Sequence, residues 1–334
     1  MKISIVIPVY NASLTLKECL NSVFNSNYKN FEVIIVSDNS SDNSVEIAKQ
    51  FKCKIIELPK NMGPAFARNK GAEIAESDVL LFVDSDVIIK KDALNYLNNK
   101  FSDNEVDAIQ GIYSHEPIYK NMATQYQQSY TSYYIWPANK KYASTLSTCC
   151  FAIRKKIFDQ LKGFDSNIKR ATCEDEVFGY KLIGNGYKIL ISRELNVEHR
   201  VHYSIKHFII RTFNRYTSHM LFYLRNKTYV DKIKQTNYLK VLMGIPILSL
   251  ILLSAITIII FPNEKIWYIF LILNLIFLSL HTGFARFVNN SKGPKKAFGV
   301  IIICYLDTFM MLTGAFYGCL DYLLWRKYQI CLLS

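Results

Sequence analysis

The sequence lacks the cysteine pattern of a disulfide-stabilised or zinc-binding protein. Its eight cysteines include no C-x-x-C pair and no histidine at metal-ligand spacing, and the adjacent Cys149 and Cys150 are poorly placed to bridge each other. We expect reduced thiols in a cytosolic setting. No signal peptide is expected either, because Ile3–Ile7 has the pattern of a strand that leads directly into the fold.

Acidic residues are scarce after the first third of the chain. The net charge is −4 over residues 1–116, +10 over 117–225 and +7 over 226–334, which gives +13 in total. A basic surface spread over the whole chain would be typical of a nucleic-acid-binding protein. This uneven pattern indicates instead an anionic membrane surface, where each nearby Lys or Arg contributes about 1 kcal/mol. We therefore expect membrane lipids, and no nucleic acid, among its partners.

Charged residues are nearly absent from three apolar stretches. Residues 241–261 and 266–285 contain no Lys, Arg, Asp or Glu, and residues 297–320 contain only Asp307. A bilayer span needs about 20 apolar residues, so all three are predicted spans of a membrane region over 225–334. Basic residues flank the hairpin of the first two spans, which predicts that both flanks and the preceding domain lie in the cytoplasm, at the cytoplasmic membrane.

The third apolar stretch allows two interpretations. Arg326 and Lys327 follow it and favour a cytoplasmic end, which would make the segment re-entrant or interfacial, whereas its length favours spanning. Asp307 is either a functional intramembrane acid or part of a helix-packing surface. Gly314 and Gly318 stand at small-xxx-small spacing in the same segment, which favours packing.

Two further segments have the composition of a membrane interface. Residues 119–142 contain six tyrosines and one tryptophan, residue types that favour boundaries between apolar and wet surroundings. Residues 203–224 have apolar side chains at helical spacing opposed by basic ones. We expect an interfacial helix there, with an ordinary helix packed on a sheet as the alternative.

The first hundred residues alternate between short apolar runs and helical segments. Strands are predicted at Ile3–Ile7, Phe31–Val36, Lys54–Leu58 and Val79–Val83, with helices over about 13–25, 43–51 and 64–76. Strands separated by helices of this length predict right-handed crossovers and an α/β fold with a mostly parallel central sheet.

Paired carboxylates follow the most apolar of these strands. Asp84 and Asp86 come directly after Val79–Val83, at the strand end where open α/β sheets bind ligands. Two neighbouring acids repel each other and favour a cation between or beside them. Oxygen ligands suit Mg²⁺ or Mn²⁺ carrying a phosphate. Paired acids also occur on ordinary solvated turns, so the pair alone does not establish a metal site.

Three more polar features follow predicted strands or begin predicted helices. Asp38 lies in a turn after the second strand, where a carboxylate can accept from a base N–H or a sugar hydroxyl. Arg68 precedes the paired acids by one helix and could pair with one of them or with a diphosphate. Glu174 and Asp175 stand at a helix start, where acids are common because of the helix dipole.

Six pieces of the chain, in order, resemble the family-2 glycosyltransferases, whose catalytic domain has the GT-A fold. They are IVIPVYNASLTLKECLNSV, FEVIIVSDNSSDNS, NMGPAFARNKG, VLLFVDSDV, LKGFDSNIKRATCEDEVFGYKLIGNGYKI and VEH. The resemblance runs to about residue 224. It implies a nucleotide-sugar-binding GT-A domain over 1–224, including the interfacial helix, followed by the C-terminal helical membrane region.

The resemblance also implies roles on the donor side of the site. Asp38 matches the residue that contacts the nucleotide base, and Arg68 the one that steadies the metal-acid loop or the diphosphate. Pro8 and Tyr10 belong to the first matching piece and are expected to bind substrate. Asp84 corresponds to the acid that meets ribose or metal.

The remaining implied roles concern the metal and the base. Asp86 corresponds to the metal ligand, and His199 to a residue that closes over the metal-diphosphate side in some relatives. An ordinary packing histidine is the alternative for His199. In the Glu174-Asp175 pair the aspartate is the general base. The implied cofactor is Mn²⁺ or Mg²⁺, acting as a Lewis acid on the leaving diphosphate.

The chain departs from this pattern at two places. Where relatives often have Asp-Asp-Gly-Ser, it has Ser37-Asp38-Asn39-Ser40, with one acid and one glycine fewer. Where processive relatives have Gln-x-x-Arg-Trp, it has Thr212-Phe213-Asn214-Arg215-Tyr216. With at most three spans, too little helix is present to enclose a polysaccharide channel. We therefore expect a nonprocessive enzyme.

The function expected is metal-dependent, inverting transfer of a sugar from a nucleotide-diphosphate sugar to a lipid or glycan acceptor, in cell-envelope or surface-glycan synthesis. A nucleotidyl- or phospho-sugar-transferase is disfavoured, because Pro8-Val9-Tyr10-Asn11 offers no Gly-rich, Lys-bearing phosphate loop. A noncatalytic membrane scaffold that binds a nucleotide sugar or a partner, and a transferase with a non-lipid acceptor, remain as alternatives.

Overall fold

The computed structural model describes residues 1–102, 106–114, 119–135, 140–168, 172–225 and 238–332, with side chains at all of these except 238–243 and 325–332. The chain divides into two compact units. The first comprises Met1–Tyr119 and Ile135–Val201, and the second comprises Lys120–Tyr134 and His202–Ser334. We call them the sheet unit and the helical unit. The expected division at residue 224 stays a prediction.

The sheet unit is built on one eight-stranded mixed sheet. Its strands are β1 (Ile3–Val9), β2 (Phe31–Ser37), β3 (Lys54–Glu57), β4 (Val79–Val83), β5 (Val87–Ile88), β6 (Ala108–Tyr113), β7 (Cys150–Arg154) and β8 (Ile189–His199). They lie in the order β3-β2-β1-β4-β7-β6-β8-β5. Strands β1 to β4 pair in parallel, as do β6 and β8, whereas β7 and β5 pair antiparallel to their neighbours. The prediction of a mostly parallel α/β sheet is confirmed.

The helices, in chain order, are α1 (Leu16–Phe24), α2 (Ser44–Ala48), α3 (Pro64–Glu73), α4 (Ala93–Ser102), α5 (Met122–Tyr130), α6 (Lys155–Gln160), α7 (Glu174–Gly184), α8 (Ile205–Arg225), α9 (Tyr238–Ile260), α10 (Glu264–Lys292) and α11 (Pro294–Leu332). One π-helical turn, Thr131–Ile135, continues α5. Helices α5 and α8 to α11 belong to the helical unit.

The core of the sheet unit forms around β4. All five of its residues are buried, as expected for a central strand with an uninterrupted apolar sequence. The Phe82 ring packs against Phe151, Phe158 and Phe164, with centroids 5.3 to 6.2 Å apart. Gly71 lets α3 approach the sheet closely, because a Cβ atom there would lie 2.3 Å from Cγ1 of Val6. This packing fixes α3 against the strands that end at the site.

Small residues join α8 and α11 in the helical unit. A Cβ atom at Gly314 would lie 2.7 Å from the Phe213 carbonyl oxygen, and one at Gly318 would lie 2.8 Å from that of Thr217. The Thr217 hydroxyl also donates to the Gly314 carbonyl oxygen at 3.1 Å. The predicted packing role of these glycines is confirmed.

Among the described residues of the helical unit, two helices have the length and composition to cross a bilayer. They are Glu264–Lys292 and the part of α11 over Pro294–Leu324, and the apolar part of α9, Gly244–Ile260, is shorter. Large apolar side chains such as Ile259, Phe261 and Tyr268 are more than half exposed. The predicted span 241–261 begins among residues whose side chains are not described. Membrane insertion rests here on length and composition.

Candidate active site

The predicted site residues of the sheet unit gather at one edge of the sheet. Strands β1, β2 and β4 are adjacent and parallel, so their carboxyl ends meet there. Tyr10 follows β1, Asp38 follows β2, and Asp84 and Asp86 follow β4. The topology therefore brings together side chains that are up to 76 positions apart in the sequence.

A buried arginine links two of the acidic motifs. Arg68, on α3, is 4% exposed. Its Nη2 donates to Oδ1 of Asp84 at 2.8 Å, and its Nη1 donates to Oε1 of Glu174 at 3.0 Å. The Phe164 ring lies 5.6 Å from the guanidinium carbon. Arg68 was expected to pair with one of the two acids after β4 or with a diphosphate, and in the structure it pairs with Asp84.

The charge of this arginine is strongly maintained. Burial alone would lower the pKa of Arg68, but the charges of Asp84 and Glu174 outweigh it and hold the pKa above its ordinary value. A buried carboxylate such as Glu174 in turn needs a positive partner. The three groups therefore form one hydrogen-bonded cluster of a guanidinium and two carboxyl groups.

Glu174 has the contacts of a positioning residue. It is 4% exposed, and its Oε2 accepts the Thr172 backbone N–H at 2.9 Å, while Oε1 accepts from Arg68. Both of its oxygens are thus engaged in holding the start of α7. The predicted catalytic roles of Glu174 and of Asp175, the expected general base, stay predictions.

Asp175 is the more accessible member of that pair. It is half-buried in the first turn of α7, and its Oδ1 accepts the Glu176 backbone N–H at 2.9 Å. Because Arg68 anchors Glu174, the adjacent Asp175 is held in a fixed position at the helix start. A half-exposed carboxylate held in this way can accept a proton from a bound hydroxyl group.

Asp86 and His199 form a second pair. The Asp86 Oδ2 and His199 Nε2 atoms lie 3.4 Å apart, with 29% and 17% of the side chains exposed. Two features hold them there: Val87 pairs with His199 across β5 and β8, and the Asp86 carbonyl oxygen accepts the Arg200 N–H at 2.8 Å. The His199 ring also stacks on Tyr113, with centroids 4.4 Å apart and an angle of 8°.

The Asp86–His199 pair has suitable donors for a divalent cation. One carboxylate and one imidazole suit Mn²⁺, and Mg²⁺ proteins often supply only one or two carboxylates, with phosphate and water oxygens completing the shell. Within the described part of the chain, no cluster of three or more His, Cys, Asp or Glu side chains has metal-binding geometry. Asp86 and His199 therefore fit a cation whose remaining ligands are oxygens of a substrate phosphate and of water.

Asp38 is buried and already carries two hydrogen bonds. Its Oδ1 accepts the Met62 N–H at 2.6 Å and its Oδ2 accepts the Gly63 N–H at 2.8 Å. Gly63 has a φ of 88° and directly precedes α3, which carries Arg68. Asp38 therefore positions the loop that enters this helix. Its predicted contact with a nucleotide base stays a prediction.

The departure at Asn39 has a conformational explanation. Asn39 has a φ of 60°, in the left-handed region. Asparagine tolerates this region better than most residues with a side chain, so it can replace the glycine that relatives often have.

The first matching piece of the sequence lies on and just after β1. On this strand Pro8 pairs with Val36, and Tyr10, just beyond the strand, is 56% exposed. The predicted substrate contacts of Pro8 and Tyr10 stay predictions.

Sequence reasoning missed several supporting residues. The Asn69 side chain accepts the Phe164 N–H at 3.0 Å and donates to the Phe164 carbonyl at 2.9 Å, which holds this ring under Arg68. Tyr113 orients His199. A signal for Asn69 was present in its position next to Arg68, but Phe164 and Tyr113 have no local signal that distinguishes them from core aromatics.

The thiols near the acids are not poised as nucleophiles. The described cysteines Cys19, Cys53, Cys149, Cys150, Cys173, Cys304 and Cys319 form no disulfide. The Cys19 thiol contacts the Asp84 carbonyl oxygen at 3.6 Å. Burial raises the pKa of Cys150 to about 12 and that of Cys19 further, so both are protonated at neutral pH.

The acids, the arginine and the mixed sheet together define a domain of the GT-A type. Residues 4–162 match the family described as glycosyl transferase family 2. A mannosyltransferase from Pyrobaculum calidifontis, solved in complex with GDP-Man and Mn²⁺, has a similar fold. Its TM-score is 0.52 at 16% identity, over 67% of this chain and 64% of that one.

Curated relatives match the first part of the chain. An uncharacterized glycosyltransferase of Haemophilus influenzae is 39% identical over 117 residues, which is 34% of this chain and 47% of that protein. A poly(ribitol-phosphate) beta-glucosyltransferase of Bacillus spizizenii is 41% identical over 119 residues, which is 33% of this chain and 19% of that protein. The chain thus spans less than half the length of these relatives.

Proposed function

We propose that this protein transfers a sugar from a nucleotide-diphosphate sugar to an acceptor hydroxyl or phosphate in cell-envelope or surface-glycan synthesis. The observation that carries the proposal is the Arg68 bridge. It engages Asp84 and Glu174, while the two half-exposed carboxylates, Asp86 and Asp175, belong to different elements. Asp86 is then available on the side of the diphosphate, and Asp175 is available as a separate base. The name of the Bacillus spizizenii relative supports an envelope glycan as the acceptor class.

The proposed reaction is a single displacement with inversion. The acceptor oxygen bonds to the anomeric carbon as the bond from that carbon to the diphosphate oxygen breaks. When the acceptor is a hydroxyl group, its proton passes to the Asp175 carboxylate. No nucleophilic thiol or serine is required, which agrees with the protonated state of Cys19 and Cys150.

On the diphosphate side, Asp86 and His199 would hold Mn²⁺ or Mg²⁺. The ion would neutralise charge on the departing diphosphate as a Lewis acid. The pair offers two donors, so the donor substrate would complete the ligand set. Tyr113 keeps the His199 ring in place, and the His199–Val87 pairing keeps it opposite Asp86.

We further propose that the helical unit inserts in the cytoplasmic membrane, with the sheet unit in the cytoplasm and a lipid-borne acceptor. Helix α10 and the Pro294–Leu324 part of α11 have the required length and composition, and their apolar side chains are widely exposed. The alternatives are a non-lipid acceptor and a noncatalytic scaffold that binds a nucleotide sugar.

Product analysis distinguishes these proposals. The full-length protein in detergent micelles is incubated with a panel of labelled nucleotide sugars, Mn²⁺ or Mg²⁺, and either a membrane lipid extract or water-soluble glycans. A labelled product in the organic phase that Asp175→Asn abolishes supports a lipid acceptor. A product with soluble glycans alone contradicts the lipid acceptor. Donor binding without turnover on any acceptor would favour the scaffold.

A further inference from the structure

Helix α1 lies beside the segment 84–91, which carries the two acids after β4 and then strand β5. The Ser22 hydroxyl, on α1, accepts the Ile89 backbone N–H at 3.1 Å. Just beyond the helix, the Ser26 hydroxyl donates to the Lys91 carbonyl oxygen at 3.1 Å. Strand β5 has only two residues, and these hydrogen bonds add anchors for the chain that follows the acids.

The same helix also contacts the chain on the other side of the Asp86–His199 pair. Arg200 directly follows His199, and its backbone N–H donates to the Asp86 carbonyl oxygen at 2.8 Å. The Arg200 Nε and Glu18 Oε2 atoms lie 2.9 Å apart. Glu18 and Ser22 are four positions apart on α1, so their side chains lie on one face of the helix. One helix face therefore contacts both the segment after Asp86 and the residue after His199.

The strength of each contact follows from its exposure. The side chains of Arg200 and Glu18 are 32% and 52% exposed, and Glu198 Oε2 lies 3.8 Å from Nη2 of the same arginine. An ion pair this exposed changes an equilibrium constant about fivefold at most. The hydrogen bond between Ser22 and Ile89 is partly buried, and such a bond corresponds to about a two- to tenfold change. Both contacts are therefore large enough to alter a binding constant measurably.

We propose that two side chains of α1, Glu18 and Ser22, are positioning residues for the divalent cation of the proposed function. They set the affinity of the Asp86–His199 pair for that cation, so the inference rests on the proposed function. The Asp86 Oδ2 and His199 Nε2 atoms lie 3.4 Å apart. Holding two side chains at this separation costs conformational entropy, and contacts that fix the backbone beforehand reduce the share of that cost paid on binding. Ser22 acts through the backbone after Asp86, and Glu18 acts through the backbone after His199.

The first test measures anchoring without added metal or sugar donor. Hydrogen–deuterium exchange of the full-length protein in detergent micelles is followed by mass spectrometry in segments 84–91 and 196–201. Ser22→Ala should speed exchange in the first segment about two- to tenfold, because the opening equilibrium of the anchored chain shifts. Glu18→Gln should speed exchange in the second segment about two- to fivefold. Unchanged exchange in either variant would overturn the role of that residue.

Two matched variants control for general loosening of the fold. Ser102→Ala removes an exposed serine hydroxyl that bonds a carbonyl oxygen of its own helix, α4. Glu46→Gln removes an acid from the first turn of α2, as Glu18→Gln does from the first turn of α1. Both controls should leave exchange in the same two segments within about twofold of the unmodified protein. Equal acceleration in the controls and the test variants would overturn the proposal.

The second test measures cation affinity, again without a sugar donor. Mn²⁺ is titrated into the same proteins, and free Mn²⁺ is followed by its electron paramagnetic resonance signal. Glu18→Gln should weaken Mn²⁺ binding about two- to fivefold and Ser22→Ala about two- to tenfold. The two control variants should change it less than about twofold. Asp86→Asn should remove the binding, which assigns the signal to the Asp86–His199 pair.

Ser22→Thr provides a rescue, because it retains a hydroxyl that can accept the Ile89 N–H. It should keep Mn²⁺ affinity within about twofold of the unmodified protein, and a threonine variant as weak as Ser22→Ala would overturn the role of this hydroxyl. Mn²⁺ binding that both Glu18→Gln and Ser22→Ala leave unchanged would overturn the role of α1 alone. An unmodified protein that binds no Mn²⁺ would instead overturn the cation assignment of the proposed function, so the two failures are distinguishable.

Discussion

Arg68 and Glu174 are 106 positions apart in the sequence and share a buried 3.0 Å hydrogen bond. The contact joins α3 to the first turn of α7. The same guanidinium binds Asp84 after β4, so one side chain sets the spacing of three elements around the site. Removal of Arg68 would leave the buried Glu174 carboxylate without this positive partner.

We expect Arg68→Gln to lower the free energy of unfolding by about 3–5 kcal/mol, the scale for a broken buried ion pair. Glu174→Gln should also destabilise, and the double variant should lose clearly less than the sum of the two. Chemical unfolding of the four proteins in detergent measures this coupling. The exposed pair Lys155–Asp159, at 2.9 Å, is the control, and Lys155→Gln should cost about 0.5 kcal/mol or less. Strict additivity at Arg68 and Glu174 would contradict the bridge.

Asp175→Asn should reduce turnover at least about 100-fold, because the amide cannot accept the acceptor proton. Donor affinity should change little, since the substitution keeps the side chain's size. Steady-state kinetics and equilibrium donor binding check both parts. The neighbouring Glu176→Gln is the matched control and should retain most of the activity. A variant that loses donor binding but turns over bound substrate normally would move the base elsewhere.

Asp86→Ala should abolish transfer, and excess chelator should do the same to the unmodified protein, with recovery on addition of Mn²⁺ or Mg²⁺. The reason is that a departing diphosphate then carries uncompensated charge. Asp159→Asn, which removes an exposed carboxylate on α6, serves as the control and should leave the metal response unchanged. Full activity in chelator would rule out the metal assignment.

Glu32 should make stability depend on pH well below neutrality. Burial raises its pKa, but hydrogen bonds from Ser4, Lys54 and the Glu76 backbone outweigh burial and lower the pKa from 4.5 to about 2. A lowered pKa means that the carboxylate stabilises the fold above about pH 4.5, and this contribution disappears as the pH falls toward 2. The full effect is about 2–3 kcal/mol.

Thermal unfolding at pH 7 and at pH 3 tests this dependence. The unmodified protein should lose more stability on acidification than Glu32→Gln, which lacks the titrating group. Glu73→Gln, in an exposed pair with Lys70, should behave like the unmodified protein. Parallel pH curves for the unmodified protein and Glu32→Gln would contradict the assignment.

Gly314→Ala should destabilise the helical unit, whereas Gly244→Ala should not. A Cβ atom at Gly314 would lie 2.7 Å from the Phe213 carbonyl oxygen, but at Gly244 its nearest neighbour would be 3.5 Å away. Both substitutions raise helix propensity by the same amount. The difference between their free energies of unfolding therefore reports the steric clash at Gly314, which we expect to cost about 1–3 kcal/mol. Thermal unfolding in the same detergent provides the comparison. Equal midpoints for the two variants would exclude a tight contact between α8 and α11.

Local sequence pattern was sufficient to predict the parallel half of the sheet. The β4 strand has the predicted bounds, Val79–Val83, because an uninterrupted apolar run between polar turns leaves little choice of register. The α3 helix begins at Pro64 as predicted and ends three residues early, at Glu73. The antiparallel strand β7 was not predicted, since its pairing with β4 joins residues about 70 positions apart.

The division of work within the site was less accessible from sequence. Asp84 and Asp86 were correctly placed at the end of β4, but their different partners, Arg68 and His199, depend on tertiary packing. The eleven-residue β8 gains its length by pairing with β6. Such pairings have no periodic signature in the chain.

The two-residue strand β5 makes chain length a constraint on the site. Val87 lies opposite His199 and Ile88 opposite Glu198, and side chains alternate between faces along each strand. Removal or insertion of one residue between Asp86 and Ile88 would shift Asp86 relative to β5 by one position. The Asp86 carboxylate would then point to the face opposite His199, even if every acid were retained. Among natural and engineered variants of this protein, we therefore expect substitutions at Ser85 to be tolerated far more often than insertions or deletions between Asp84 and Ile88.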